Sequence, residues 1–417
     1  MTHAQAGGER RQRWVYGAGV SDSAREMLAG LLQAVRLSVP DEVAATLVDN
    51  GRSLGAGNVT VYLADQEQYL LVPVPMTTAE PREPLSIEAT LAGRCYRRTE
   101  LQEANGGREV WVPLLDGLER LGVMQLEFPD PSDRADEELL HAFAAATAEI
   151  VLVKEKYGDL FTQVRRRDAM SLAGEITWNL MPPLTFGTER MVISCVLAPA
   201  YDVGGDSFDY AVDDSTARFA VFDAMGHGLG AGLLATVAIA AYRHARRTGL
   251  DLTETVTAID AAVAETFVGE QYVTGLVAEL DLASGQLTWH SAGHPAPLLL
   301  RGTHRVATTE HAEAVPLGLG TTLGATRLTA HQSLQPGDRV LLYTDGVTEA
   351  RDTEGQFFGI ERLADLVSRR AVDGQPAPET MRRLMHTILD HQDGALQDDA
   401  TTMLVEWQGG GAERVTP

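Results

Sequence analysis

The sequence predicts an α+β protein built from two folded units joined by a helical stretch. Three observations carry that expectation. The C-terminal half strings consecutive hairpin-like apolar runs together with two pairs of helical segments, a pattern that suggests a layered sandwich. The N-terminal part mixes helix and strand patterns on a smaller scale. The chain has 417 residues, 44% of them apolar, which suits two or three domains with packed cores.

In chain order, residues 1–20 are polar and carry Arg10, Arg11 and Arg13. They read as a disordered leader without the apolar core of a signal peptide. Met27, Leu28, Leu31, Leu32 and Val35 recur at helical spacing, with Ser21 or Asp22 as the N-cap. Residues 59–63 and 69–74 read as strands around a turn, and 91–98 as a short helix. Residues 110–115, the Asp116-Gly117 turn and 121–128 read as strand, turn, strand. This first unit is expected over 21–150.

A helical stretch begins at Asp133. Phe143, Ala146, Ile150, Val153, Tyr157, Leu160 and Val164 follow alternating steps of three and four, a heptad seam. Two readings stay open: a helix packed on its own domain, or a parallel homodimer through the 143–164 helix. Gly158 and Arg165-Arg166-Arg167 weaken the seam, and Pro182-Pro183 stops the helical pattern. The linker or connector is expected over 151–184.

Beyond Pro183 a strand is expected at 192–197, a hairpin at 206–210 and 217–222, and helices at 229–247 and 252–267. Further strands are expected at 275–280, 286–291, 297–300, 327–334, 339–343 and 401–407, with helices at 359–370 and 378–391. This second unit is expected over 185–408, followed by a disordered tail at 409–417.

Composition narrows the function classes. The formal net charge of −24 argues against a nucleic-acid binder, which needs a basic face. Two cysteines, Cys95 and Cys195, are too few and too far apart for a disulfide scaffold, so a cytoplasmic protein is expected. No run approaches the ~18 apolar residues of a membrane helix. The greasiest stretch, 228–242, is rich in alanine and glycine and reads as a buried helix, so no membrane partner is expected.

The chemistry lies in five segments, four of them with an aspartate at a turn. They are Val203-Gly204-Gly205-Asp206, Phe222-Asp223-Ala224-Met225-Gly226-His227-Gly228, Ser291-Ala292-Gly293-His294-Pro295-Ala296-Pro297, Leu342-Tyr343-Thr344-Asp345-Gly346-Val347-Thr348-Glu349 and Asp398-Asp399-Ala400-Thr401, the third contributing histidine instead. Carboxylates at strand ends with glycines beside them suit a hard cation such as Mg²⁺ or Mn²⁺, which takes oxygen ligands. Taken singly, Asp206 and Asp345 read as turn residues, and Asp398 and Asp399 as loop caps.

In order and spelling these segments, within 170–407, resemble the metal-dependent protein phosphatase (PPM, type-2C-like) superfamily, nearest its SpoIIE-type branch with the RsbU-like regulators. The resemblance implies an αββα sandwich of two antiparallel sheets with two divalent cations, Mn²⁺ or Mg²⁺, at one end. It implies that Asp223 bridges the metals, that the carbonyl of Ala224 is also a ligand where the family often has glycine, and that Asp206 serves one metal. Asp345 and Asp398 then serve the other, and these four aspartates make the catalytic set. Asp399 stands where many relatives of the wider superfamily carry asparagine, which implies a supporting or structural role. The implied activity is that of a phosphoserine/phosphothreonine protein phosphatase, acting on a phosphorylated anti-anti-sigma factor in a bacterial partner-switching pathway. A catalytically weak sensor or binding module and a small-molecule phosphohydrolase stay open as alternatives.

Leu91-Ala92-Gly93-Arg94 and Trp111-Val112-Pro113-Leu114 resemble a GAF domain, which implies a sensor role for the first unit. Residues 172–184 are similar to the connector that precedes SpoIIE-type phosphatase domains, and the helices at 229–247 and 252–267 to their switch elements. His227 and His294 could donate a proton to a leaving alkoxide. The preferred reading is that they fix glycine-rich turns. The general-acid histidine of the eukaryotic branch does not map, because Met225 occupies its place. Arg351 reads as a solvated charge and Cys95 as a packed core thiol.

Overall fold

The structure, a computed structural model, describes residues 22–75, 81–267, 271–306, 314–323, 328–372, 374–394 and 396–409. The expected leader and all of the expected tail except Gly409 lie outside the described residues.

The first unit opens with helices α1 (Asp22–Val35) and α2 (Pro40–Gly51). Then come β1 (Asn58–Ala64), β2 (Leu70–Pro73), β3 (Leu85–Ser86), α3 (Leu91–Arg98), β4 (Gln102–Ala104), β5 (Glu109–Asp116), β6 (Glu119–Glu127), α4 (Glu137–Lys154) and α5 (Leu160–Val164). The strands form one antiparallel sheet in the order β3-β2-β1-β6-β5-β4. Side chains alternate along β1 as a two-residue period requires. Val59, Val61 and Leu63 join the core beneath α1, α2 and α4, while Tyr62 and Ala64 face the smaller core beneath α3. Helix α3 starts where expected because Thr90 Oγ1 accepts from the Gly93 amide at 3.0 Å. A Cβ on Gly93 would lie 2.0 Å from the Ile87 carbonyl oxygen, so α3 can sit this close only with glycine there.

Of the two readings of the heptad seam, the structure shows the helix packed on its own domain. Helix α4 ends at Lys154, Gly158 is fully extended at φ −172, and α5 is a separate short helix. Phe143 and Ile150 are buried in the core of their own unit, and Ala146, Leu160 and Val164 pack on the same core. Val153 and Tyr157 point outward. Five of the seven seam residues thus pack on the unit's own core, the first of the two readings, and with the break at Gly158 no continuous 143–164 helix exists to dimerise through.

The second unit begins with α6 (Leu172–Leu180), β7 (Thr185–Gly187), β8 (Met191–Ala198), β9 (Asp206–Val212), β10 (Thr216–Ala224), α7 (Gly228–Arg247) and α8 (Leu252–Thr266). It continues with β11 (Val273–Asp281), β12 (Gln286–Ala292), β13 (Leu298–Arg301), β14 (His304–Val306), α9 (Gly320–Leu323), β15 (Ala330–Ser333), β16 (Arg339–Tyr343), α10 (Asp345–Thr348), α11 (Ile360–Val372), α12 (Ala377–His391) and β17 (Ala400–Trp407). Two antiparallel sheets result, β15-β12-β11-β10-β9 and β14-β13-β16-β17-β8-β7. Their inner faces meet in a core that includes Ile193, Phe208, Phe219, Val221, Trp289 and Met403. Ala220 and Phe222, one step out of phase, turn outward to α7 and α8. Val196, Ala198 and Leu341 do the same towards α11 and α12. The layers are therefore αββα, as expected. Strand β15 is shorter than the expected 327–334.

Helix α6 lies on α7. Ser171 caps it, its Oγ accepting from the Gly174 amide at 3.0 Å. Gly232 of α7 faces it so closely that a Cβ would lie 3.3 Å from the Cβ of Ala173. Among the described residues no helix is long and apolar enough to cross a membrane.

Candidate active site: a carboxylate cluster at one end of the sandwich

Each sheet brings carboxylates to the same end. In the first, Asp206 opens β9 and pairs directly across from Asp223 near the end of β10; Asp223 pairs on its other side with Thr274 of β11. Glycine makes the approach possible. A Cβ on Gly205 would lie 2.5 Å from the Ala224 carbonyl oxygen, and one on Gly204 would lie 2.9 Å from the Gly228 amide nitrogen. In the second sheet, Asp345 follows β16 as the first residue of α10, while Asp398 and Asp399 lead into β17. A Cβ on Gly346 would meet the Asp399 carbonyl oxygen at 1.9 Å, so the start of α10 lies hard against the 398–399 turn.

Polar contacts stitch the two halves together. One oxygen of Asp399 accepts from the amides of Gly204 and Gly205, both at 2.7 Å, and from Asp206 at 3.2 Å. Thr344 Oγ1 donates to Asp206 at 2.7 Å and accepts from the Thr401 amide at 3.0 Å.

Electrostatically the cluster is strained. Burial, and then the charges of Asp345, Asp398 and Asp399, push the Asp223 carboxyl up to about 7. Burial, followed by the Asp223 and Asp399 charges, holds Asp206 well above the usual carboxylate range. Asp345 is raised by burial and then by Asp398 and Glu349. Burial raises Asp399 too, against the pull of the three amides it holds. No cationic side chain is among the groups that set these four carboxyls. A crowd of oxygen donors without a counter-charge is the chemistry a hard divalent cation satisfies, so the donor set fits one. Its arrangement is open: among the described residues no three His, Cys, Asp or Glu side chains converge closely enough to hold an ion as they stand. The Ala224 carbonyl lies beside Gly205, and Ala224 is buried.

The histidines differ from each other. His294 is buried, its Nδ1 is 3.1 Å from Thr274 Oγ1, and its carbonyl accepts from Ser291 Oγ at 2.5 Å. Burial lowers its ring to about 4, so it is neutral and suits a turn-fixing role beside Thr274. His227 is exposed ahead of α7, and its side chain does not cap that helix. Met225 is half-exposed. Arg351 lies over the Phe357 ring at 4.6 Å on the surface. Cys95 is buried and its thiol pushed up by that burial. Thr274, Thr344 and Thr401 were not singled out by sequence reasoning. The signal for Thr344 and Thr401 is their place inside the segments that carry Asp345 and Asp398.

Residues 213–408 match the family model described as stage II sporulation protein E (SpoIIE). This C-terminal region is of the SpoIIE type. It takes in Asp223, Asp345, Asp398 and Asp399 and begins just after Asp206. The phosphoserine phosphatase RsbU of Bacillus subtilis (strain 168) is 23% identical over 239 residues, 57% of this chain and 70% of that protein. The phosphoserine phosphatase RsbP of the same organism is 25% identical over 186 residues, 43% of this chain and 45% of that protein. The solved RsbU and RsbW domains of Rv1364c from Mycobacterium tuberculosis are 25% identical, with a TM-score of 0.46, covering 55% of this chain and 63% of that one. The chain thus spans less than two thirds of RsbP and of the solved chain.

Proposed function

We propose that the protein is a metal-dependent phosphoserine/phosphothreonine protein phosphatase whose substrate is a phosphorylated anti-anti-sigma factor in a partner-switching pathway, with residues 21–150 as a GAF-like sensor, 151–184 as connector and 185–408 as the phosphatase domain. The observation that carries the reading is the gathering of Asp206, Asp223, Asp345 and Asp398 from four separate segments, with Asp223 raised to about 7 by burial and by its neighbours' charges. The SpoIIE-type match and the two phosphoserine phosphatases among the relatives support it. The buried, unpaired Cys95 and Cys195 suit a reducing compartment, so we place the protein in the cytoplasm.

Two divalent cations, Mn²⁺ or Mg²⁺, supply charge neutralisation and an activated water when bound. Asp223 would bridge them, with Asp206 and the Ala224 carbonyl on one side and Asp345 and Asp398 on the other. Asp223 must give up its proton to serve, which a bound cation would favour. Asp399 holds the Gly204–Asp206 backbone, and Thr344 orients the Asp206 carboxylate.

One observation favours a second reading, a catalytically weak binding module: the carboxylates gather without closing on one point. A phosphorylated protein, a nucleoside triphosphate and an aryl phosphate, each assayed with Mn²⁺ and with chelator, separate the possibilities. Chelator-sensitive turnover of the phosphoprotein supports the proposal. Turnover of small phosphates alone points to a small-molecule phosphohydrolase, and no turnover to the binding module.

A further inference from the structure

The first unit rests on the second through charges buried between them. Arg120 of β6 donates to Glu379 of α12 at 3.0 Å, and both side chains are only 4% exposed. Glu379 is held in turn by Arg382 through two contacts of 2.9 Å and by Arg383 at 2.8 Å. Arg382, 1% exposed, reaches back to the Gln68 carbonyl at 3.2 Å and to the Glu88 carboxylate. One turn further on, the His386 ring stacks on Tyr69, centroids 3.9 Å apart and 3° from parallel, and its Nε2 is 2.8 Å from the Glu67 carbonyl oxygen. Glu119 accepts from the Thr185 amide of β7 at 2.6 Å.

All but the last of these contacts fall on α12, in the layer over one sheet, and the last falls on β7, the edge strand of that sheet. On its inner side α12 packs Leu384, Met385, Ile388 and Leu389 into a core shared with Val196, Ala198 and Ala400. Ala400 directly follows Asp398 and Asp399, and it pairs with Ala198 in the β17–β8 ladder. Asp399 in turn holds the Gly204, Gly205 and Asp206 amides of the opposite sheet. A buried ion pair is satisfied in one register only, whereas a purely apolar face can slide.

We propose that α12 is the surface through which the N-terminal unit acts on the carboxylate cluster: docking by the Arg120–Glu379–Arg382 lock sets α12 on the sheet, and α12 sets the Asp398–Asp399 turn. The proposal names a regulatory input for the site described above and rests on that reading of the cluster. Loss of the lock loosens α12, and the Asp399 grip on the Gly204–Asp206 backbone loosens with it.

The test is amide hydrogen exchange on the full chain, for Arg120→Met, which leaves Glu379 its other two arginines, and for Tyr69→Ala, which removes no charge. Exchange needs neither metal nor phosphoprotein, so a failed phosphatase assay and a failed coupling are told apart. The expected result is exchange about tenfold faster in α12 and also at Gly204–Asp206 in both variants, with α8 unchanged. Arg369→Met, on the exposed face of α11, should change neither segment. Faster exchange in α12 with unchanged protection at Gly204–Asp206 overturns the proposal. So does unchanged α12 in both variants, or a rise spread through α8 in both, which reports unfolding.

Discussion

The two helical layers cover the two sheets of one sandwich with opposite chemistry. On one side α7 meets the connector helix α6 through small residues, Gly232 against Ala173, with a single polar clamp at its far end. There Arg243 binds the buried Asp209 at 2.9 and 3.0 Å and also donates to the Leu180 carbonyl. On the other side α12 meets the N-terminal unit through a network of buried charges. Small apolar contacts tolerate sliding by a fraction of a turn, while buried ion pairs penalise every position but one. The α6 side is therefore suited to graded adjustment and the α12 side to a fixed register.

The largest effect is expected at Glu379. Glu379→Ala strips Arg120, Arg382 and Arg383 of their shared carboxylate and should cost about 3–5 kcal/mol in the transition that reports the domain junction. Denaturant unfolding followed by tyrosine and tryptophan fluorescence measures it; a loss near ~0.5 kcal/mol would mean that the network is solvated and no fixed register exists. The same residue yields a pH signature. Hydrogen bonds and charges from Arg382, Arg120 and Arg383 outweigh burial and hold its carboxyl down at about 2. A carboxyl lower in the folded than in the unfolded chain binds fewer protons when folded, so it stabilises above its unfolded value of roughly 4.3. That contribution should drain away as pH falls from there towards 2. Glu379→Gln should flatten this acid limb in a plot of Tm against pH, and an unchanged limb would assign it to other carboxyls.

On the α6 side the expected effects are smaller. Arg243→Met leaves Asp209 with Arg246 alone, at 3.3 Å, and should cost about 1–3 kcal/mol while loosening exchange in α6 but not in α12. If α12 loosens equally, the two layers are one mechanical unit and the contrast fails. Gly232→Ala should be nearly neutral, within about 1 kcal/mol, because the gain in helix propensity offsets a tight but yielding 3.3 Å approach to Ala173. A large loss in thermal melting would show that the α6–α7 contact has no slack.

What the sequence revealed follows from the range of the interactions. Helix α3 and strand β16 fall at the expected boundaries, and α7 and α12 within a residue, because caps, turn residues and apolar periods are local. The aspartates were legible because each sits at a strand end in a short recognisable segment. The resemblance implied a supporting or structural role for Asp399, but the groups it holds were not legible, because those amides lie 193 to 195 residues away. Nor was the Arg120–Glu379 pair, whose members are 259 residues apart. The seam of Phe143 and Ile150 left two readings open for a related reason: a heptad period reports which side of a helix is apolar, and the chain's own sheet covers that side as readily as a second helix would.

Metal-dependent hydrolysis of a phosphoprotein at the cluster around Asp223 is tested by turnover of a phosphoserine protein against Mn²⁺ concentration for the native chain and Asp223→Asn, with the fold of both checked by circular dichroism. Removing one ionised member of such a site should lower Mn²⁺-dependent turnover by at least about a hundredfold with the fold retained, and chelator should abolish the native activity. An Asp223→Asn protein that keeps about half or more of native turnover, or native turnover indifferent to chelator, would rule out a metal site at Asp223.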